Sequence, residues 1–206
     1  DEQDYIIIPN KGGDNIYVGK LNRETEKIDI LSVYQSDFGS SPRYAFFVKG
    51  TDYVLVQNEY DGHLCCYRLN REQGTLTRVS RVDSMDPDIK LEGLAGLLDP
   101  SIHPWGCDVQ AHPNNRFVYS NNTQRIIRQY ELNPETGELI AKKSYPVAVS
   151  FMTRGIQVSP DGQFLAVTGV ADEKAFVYRI NQENGDLTLV SEAALPTPTA
   201  LRFVTE

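Results

Sequence analysis

Two arginines and a glutamate occupy equivalent places in a repeating sequence, and together they suit an anionic substrate. Arg43 lies in Ser41-Pro42-Arg43-Tyr44 and Arg154 in Thr153-Arg154-Gly155, each just before an apolar run. Glu59 closes Gln57-Asn58-Glu59-Tyr60. Arginine offers a planar fork of donors to carboxylate or phosphate. A neighbouring carboxylate can act as general base, or can hold an arginine in place through an ion pair. Both roles of Glu59 stay open at this level. Asn10 and Asn121 end the strands that match the one ending at Glu59. His103-Pro104-Trp105 sits in the longest insertion, Ser84–Gly106. His103 titrates near neutrality and Trp105 can stack on a ligand. The candidate catalytic residues are therefore Glu59, Arg43 and Arg154. Asn10, Asn121, His103 and Trp105 are candidate substrate-binding residues. His63 begins a strand close to Glu59, and His112 precedes a turn in a structural position.

These residues can meet only if separate repeats converge. Four segments share one signature, at Val18–Glu24, Tyr67–Gly74, Tyr130–Gly137 and Tyr178–Gly185. Aligned on Leu21, Leu69, Leu132 and Ile180, they recur every 48, 63 and 48 residues. Repeats of this length made of short strands mark a β-propeller. The last copy reads as strands over Gly155–Ser159, Phe164–Val170, Lys174–Ile180 and Leu187–Leu195. The third reads as Cys107–His112, Phe117–Asn121, Arg125–Leu132 and Leu139–Val147. The second reads as Tyr44–Lys49, Tyr53–Glu59, His63–Leu69 and Leu76–Val82. Turn signals such as Pro160-Asp-Gly-Gln separate them. The first copy shows only Asp4–Pro9, Asn15–Leu21 and Ile28–Tyr34. Its missing strand is expected at Thr199–Thr205, so that the two termini close one blade and hide a sheet edge. Leu91–Leu98 is a weak helix candidate, broken by two glycines. The expectation is one all-β domain over residues 1–206 with four four-stranded blades, the loops before each first strand and after each second strand opening on one face.

Composition narrows the function. The net charge of −8 disfavours a nucleic-acid backbone as partner. No run approaches the ~20 apolar residues that span a membrane, and no signal peptide is in view. The sequence does not begin with Met, so a processed or truncated chain is expected. Cys65, Cys66 and Cys107 form no disulfide framework and fit a reducing, cytoplasmic compartment. No Cys or His pair has ligand spacing, so no metal or other cofactor is expected.

The motifs Pro42-Arg43, Asn58-Glu59, His112-Pro-Asn-Asn-Arg-Phe-Val-Tyr119, Arg154-Gly155, Ser159-Pro-Asp-Gly-Gln-Phe-Leu165 and the Asn-x-Glu-x-Gly turns resemble the lactonase family of seven-bladed propellers. That family includes 6-phosphogluconolactonase and carboxymuconate-lactonizing enzymes. The resemblance covers essentially the whole chain and looks like the family's C-terminal four blades. It implies hydrolysis of a small anionic sugar lactone, with Arg43 and Arg154 holding the anion and Glu59 orienting water. The family's proposed catalytic His comes from an earlier blade and has no counterpart here. Two further positions depart from the family pattern, where Gln110 and Tyr44 replace residues that are commonly His. Three expectations follow: the N-terminal blades were lost, or a separate chain or segment supplies them, or this is a shortened propeller that lost the activity. A non-catalytic binding propeller and a muconate-type cycloisomerase are the alternatives.

Overall fold

The recurring asparagine explains why each copy turns where it does. In the computed structural model, which describes residues 3–88, 105–149 and 153–204, Asn22, Asn70, Asn133 and Asn181 all begin the turn into the last strand of a sheet. Each side-chain oxygen accepts backbone amides two or three residues ahead. Asn133 takes Glu135 N at 2.9 Å and Thr136 N at 3.2 Å, and Asn181 takes Glu183 N at 2.8 Å. Such a turn is closed locally by its own asparagine.

The strands assemble into four antiparallel sheets. The first holds β1 (Tyr5–Asn10), β2 (Asn15–Asn22) and β3 (Lys27–Gln35). The second holds β4 (Pro42–Phe47), β5 (Tyr53–Asn58), β6 (His63–Asn70) and β7 (Thr75–Asp83). The third holds β8 (Gly106–Ala111), β9 (Phe117–Asn122), β10 (Ile126–Leu132) and β11 (Leu139–Pro146). The fourth holds β12 (Thr153–Val158), β13 (Phe164–Gly169), β14 (Lys174–Ile180) and β15 (Leu187–Ala194). Strands run in chain order across every sheet. The all-β propeller architecture expected from the repeats is what forms. The weak helix candidate at Leu91–Leu98 lies outside the described residues.

Core packing lies between sheets rather than inside one. Every residue of β5 and of β9 is buried, whereas β3 and β15 are mostly exposed. Ile16, Val18, Val54, Val56 and Tyr67 fill the space between the first and second sheets. Leu55, Leu64, Val109 and Val118 fill the next, and Tyr119, Ile127, Val167 and Phe176 the last. Each slab also has a polar tie. Tyr5 Oη donates to the Arg71 carbonyl, Tyr53 Oη to Glu135 O at 2.6 Å, and Tyr119 Oη to Gly185 O at 2.7 Å. In every case a tyrosine on one sheet satisfies its hydroxyl on the asparagine turn of the next.

The expected closure of the first sheet by Thr199–Thr205 is corrected by the structure. The first sheet has three strands, and residues 199–204 form no strand. They lie against β12 instead, with Phe203 N donating to Gln157 Oε1 at 3.0 Å. Gly155 makes room for them, since a Cβ there would come within 3.1 Å of the Ala200 Cα. The reason is geometric. Neighbouring sheets pack in sequence, first on second, second on third and third on fourth. No comparable packing joins first to fourth among the described residues, so a chain leaving β15 reaches the flank of β12 and not β1.

The first strands of the last three sheets share a further feature. Each breaks register near its start, between Pro42 and Tyr44, between Gly106 and Asp108, and between Thr153 and Ile156. A bulge frees one residue from the ladder and re-aims it. The residues freed are Arg43, Cys107 and the pair Arg154-Gly155.

Gly106 permits the bulge in β8. A Cβ there would meet Gln57 Nε2 at 2.1 Å and Asn58 O at 2.3 Å, although Gly106 N must still reach Glu59 O at 3.1 Å. Gly106→Ala should therefore destabilise by about 1–3 kcal/mol through overpacking, measured as a lower urea midpoint with an unchanged m-value.

Candidate functional site

The bulged residues of three sheets face one cleft. Its volume is about 550 Å³, and its lining includes Arg43, Cys107, Asp108, Gln110, Arg154 and Arg202. Arg154 is exposed and makes no ion pair among the described residues. Arg202 arrives on the C-terminal segment and lines the wall beside β12. Cys107 forms the floor between Arg43 and Arg154. Burial pushes its thiol up to about 12, against the pull of both arginines. It is therefore a neutral, unreactive surface at ordinary pH.

Glu59 does not line this cleft. It stands behind Arg43, nearly buried, and each carboxylate oxygen is engaged by a cation. Arg43 Nη1 donates to Oε2 at 2.9 Å and Lys11 Nζ to Oε1 at 2.6 Å. The Glu59 hydrogen bond is the largest influence raising the Lys11 pKa. This is the arrangement of an anchoring ion pair: Glu59 fixes where Arg43 points. Lys11 belongs to a single 3₁₀ turn, Lys11–Gly13, between β1 and β2. Nothing in Asn10-Lys-Gly-Gly-Asp marks it as a site residue, because its partner is 48 residues away.

The same turn sets the entry to β4. Asp14 Oδ2 accepts Gly39 N at 2.8 Å and Oδ1 accepts Ser41 N at 2.7 Å. Ser41 O then accepts Glu59 N at 2.8 Å. The loop before Arg43 is thus tied on one side to the first sheet and on the other to Glu59.

The other sequence candidates divide. Asn121 is fully buried. Its Oδ1 accepts Asp108 N at 2.9 Å and its Nδ2 donates to Arg154 O at 3.1 Å, so it joins two sheets and presents no group to a ligand. Asn10 donates to Asn15 Oδ1 at 3.1 Å and does not line the cleft. Trp105 stacks obliquely near Tyr60, ring centres 6.2 Å apart, and Lys11 Nζ lies 4.8 Å from the Tyr60 ring centre. Trp105 therefore extends the Lys11–Glu59 cluster and not the cleft. His103 lies outside the described residues. His63 pairs with Asp61 at 3.5 Å, and buried His112 contacts Gly162 O at 2.9 Å through Nε2. Neither lines the cleft.

Sequence reasoning missed the cleft residue Arg202, and it also missed Asp108. Its Oδ1 accepts Val109 N at 2.7 Å and its Oδ2 accepts Ile156 N at 3.4 Å. Burial pushes its carboxyl up to about 7, against the opposing pull of these amides and of Arg43. A signal was present: Gln110 reads as an inner-strand position, and a residue two earlier shares its face.

Comparison with known proteins decides the family. The family described as "Lactonase, 7-bladed beta-propeller" matches residues 1–203. The chain belongs to that family. A 6-phosphogluconolactonase of Pectobacterium carotovorum is 27% identical over 158 residues, covering 76% of this chain and 44% of the relative. One from Blochmanniella floridana is 26% identical over 163 residues, covering 79% and 45%. The lactonase-family chain thus spans less than half the length of these curated relatives. A periplasmic gluconolactonase of Pseudomonas aeruginosa superposes with a TM-score of 0.84 at 19% identity, covering 99% of this chain and 55% of that one. A putative 6-phosphogluconolactonase of Bacteroides fragilis gives 0.82 at 17%, with coverages of 99% and 55%. These superpositions establish the shared fold. No helix among the described residues is long and apolar enough to cross a membrane.

Two stability predictions follow from the carboxylates. Removing the negative charge of Glu59 leaves Arg43 and Lys11 facing each other, so Glu59→Gln should destabilise by roughly 1–3 kcal/mol, less than a fully buried pair because both cations keep solvent contact. Chemical denaturation in low and high salt measures it. Asp108 has the opposite sign. Its folded pKa is raised, so the folded state binds its proton more tightly than the unfolded chain does. That contribution is complete below about pH 4 and is lost as pH rises through about 7. Asp108→Asn should therefore raise the thermal midpoint at pH 8 by on the order of a few degrees, and the gain should fade toward pH 4.

Proposed function

We propose that this chain carries the anion-binding part of a lactonase site acting on a small anionic sugar lactone of the 6-phosphogluconolactone kind. The observation that supports it most is the convergence of Arg43 and Arg154 on one cleft from two different sheets. Two guanidinium groups spaced across a cleft suit a substrate with two negative centres. One is its phosphate or carboxylate. The other is the oxyanion that develops when water attacks the lactone carbonyl. Arg202 adds a third donor set from the C-terminal segment. Glu59 positions Arg43 and does not itself touch substrate. The family relationship supports the same chemistry, since both relatives described above carry the name 6-phosphogluconolactonase. The family's description counts seven blades and the described residues form four sheets. The reading therefore includes a further chain or segment completing the mouth in the native protein. Three unpaired cysteines favour a cytoplasmic setting.

The test is hydrolysis of 6-phosphogluconolactone by the native protein, measured above the spontaneous background. Arg154→Ala and Arg43→Ala should each lower kcat/KM by roughly 10–100-fold, the loss of one charge-assisted contact. Arg154→Ala should leave the urea midpoint unchanged, because that side chain is exposed and makes no ion pair among the described residues. Turnover indifferent to Arg154→Ala would remove the cleft from the reaction.

A further inference from the structure

We propose that Asp108 is the general base that takes the proton of the attacking water in this cleft. The inference rests on the lactonase reading and assigns it a catalytic group that neither the sequence motifs nor the family relationship indicate.

Two carboxylates stand near the arginines, and their environments differ. Glu59 has a cation on each oxygen and lies outside the cleft. Asp108 lines the cleft, is only partly buried and is paired with no cation in hydrogen-bond contact among the described residues. Its oxygens are held by one backbone amide each, from Val109 and Ile156, and the Gln110 side chain adds a third neutral donor. A carboxylate has about four lone-pair positions, so three donors orient it and leave one site for water. The amides come from two sheets, and Asn121 fixes both Asp108 N and Arg154 O. Base and anion-binding arginine are thereby set relative to one another by a buried side chain. Asp108 thus has the fixed orientation and the open acceptor site that proton abstraction needs.

The charged and titrating groups around it are known. Arg43 and Tyr44 face it from β4, Cys107 adjoins it on β8, and Arg154 and Arg202 line the same cleft from β12 and the C-terminal segment. Tyr44 and Cys107 are both raised by burial and stay neutral through the working range. The arginines stay charged. Asp108 is then the one group of this set that changes charge near neutrality, where its carboxyl sits at about 7. In the step, water oxygen bonds to the lactone carbonyl carbon while its proton passes to Asp108. The tetrahedral oxyanion collapses, the bond from carbon to ring oxygen breaks, and Asp108 returns the proton to that oxygen. Lactone and water give the hydroxy acid, with no other reactant.

The experiment is a pH profile of 6-phosphogluconolactone hydrolysis by the native protein, its Asp108→Asn and its Asp108→Glu variants. The wild type should show kcat/KM rising through an apparent pKa near 7. Asp108→Asn should lower kcat by about 10²–10⁴-fold and abolish the rising limb, with KM changed only a few-fold. It should also bind 6-phosphogluconate as tightly or more tightly, since a negative charge has left the cleft. Asp108→Glu should keep part of kcat and move the limb. A folded Asp108→Asn enzyme that retains the limb overturns the proposal and leaves the lactonase reading standing. A wild-type profile flat from pH 6 to 8 overturns it without any variant. Wild type that does not exceed background overturns the lactonase reading itself, and the base with it.

Discussion

The structure depends on sheets covering the faces of their neighbours. A strand such as β5 or β9, buried along its whole length, has no stable form in a sheet with one face in water. The second and third sheets therefore exist as slabs between two others, and the buried tyrosines make the dependence specific. Tyr53 and Tyr119 place their hydroxyls on carbonyls of the next sheet's asparagine turn. A turn that misplaced those carbonyls would strand a buried hydroxyl, which is unfavourable by roughly 1–3 kcal/mol. Local turn geometry and long-range packing are thus checked against each other at every repeat.

That frame decides how charge is distributed at the cleft. Arg43, Arg154 and Arg202 stand together on a chain of net charge −8. The molecule sets its carboxylates against them in two ways. Glu59 compensates Arg43 and Lys11 directly and is spent in doing so. Asp108 shares the cleft with the arginines and is held by neutral donors, two backbone amides and the Gln110 side chain. One carboxylate stabilises the architecture and the other burdens it, the usual mark of a group retained for chemistry.

Much of this was legible in the sequence, for physical reasons that can be named. Short strands between asparagine turns announce themselves because the asparagine acts on its own next three residues. The pairing of Arg43 with Glu59 was readable as one of two alternatives, since both fall at strand ends on one face. Lys11 was not readable, because its role depends on a turn in another sheet. The function of Asn121 was misplaced for a related reason: a polar residue at a strand end near a mouth looks available until the neighbouring bulges consume both of its hydrogen-bonding ends. Asp108 was hidden among residues read for their packing. The fate of residues 199–204 turned on how far four sheets bend around, a quantity that no local pattern encodes.

The bulges have a consequence for how such a protein can change. A residue lifted out of its ladder contributes little to strand pairing, so its identity is loosely constrained by the fold. Here two such residues, Arg43 and Arg154, come from different sheets and face the cleft. They are spokes of one wheel whose rims are interchangeable while the hub stays the same. Descendants of this scaffold can exchange ligand chemistry one sheet at a time, each exchange leaving the hydrophobic slabs undisturbed. A diversity of substrates within one propeller lineage is then the expected outcome of its geometry.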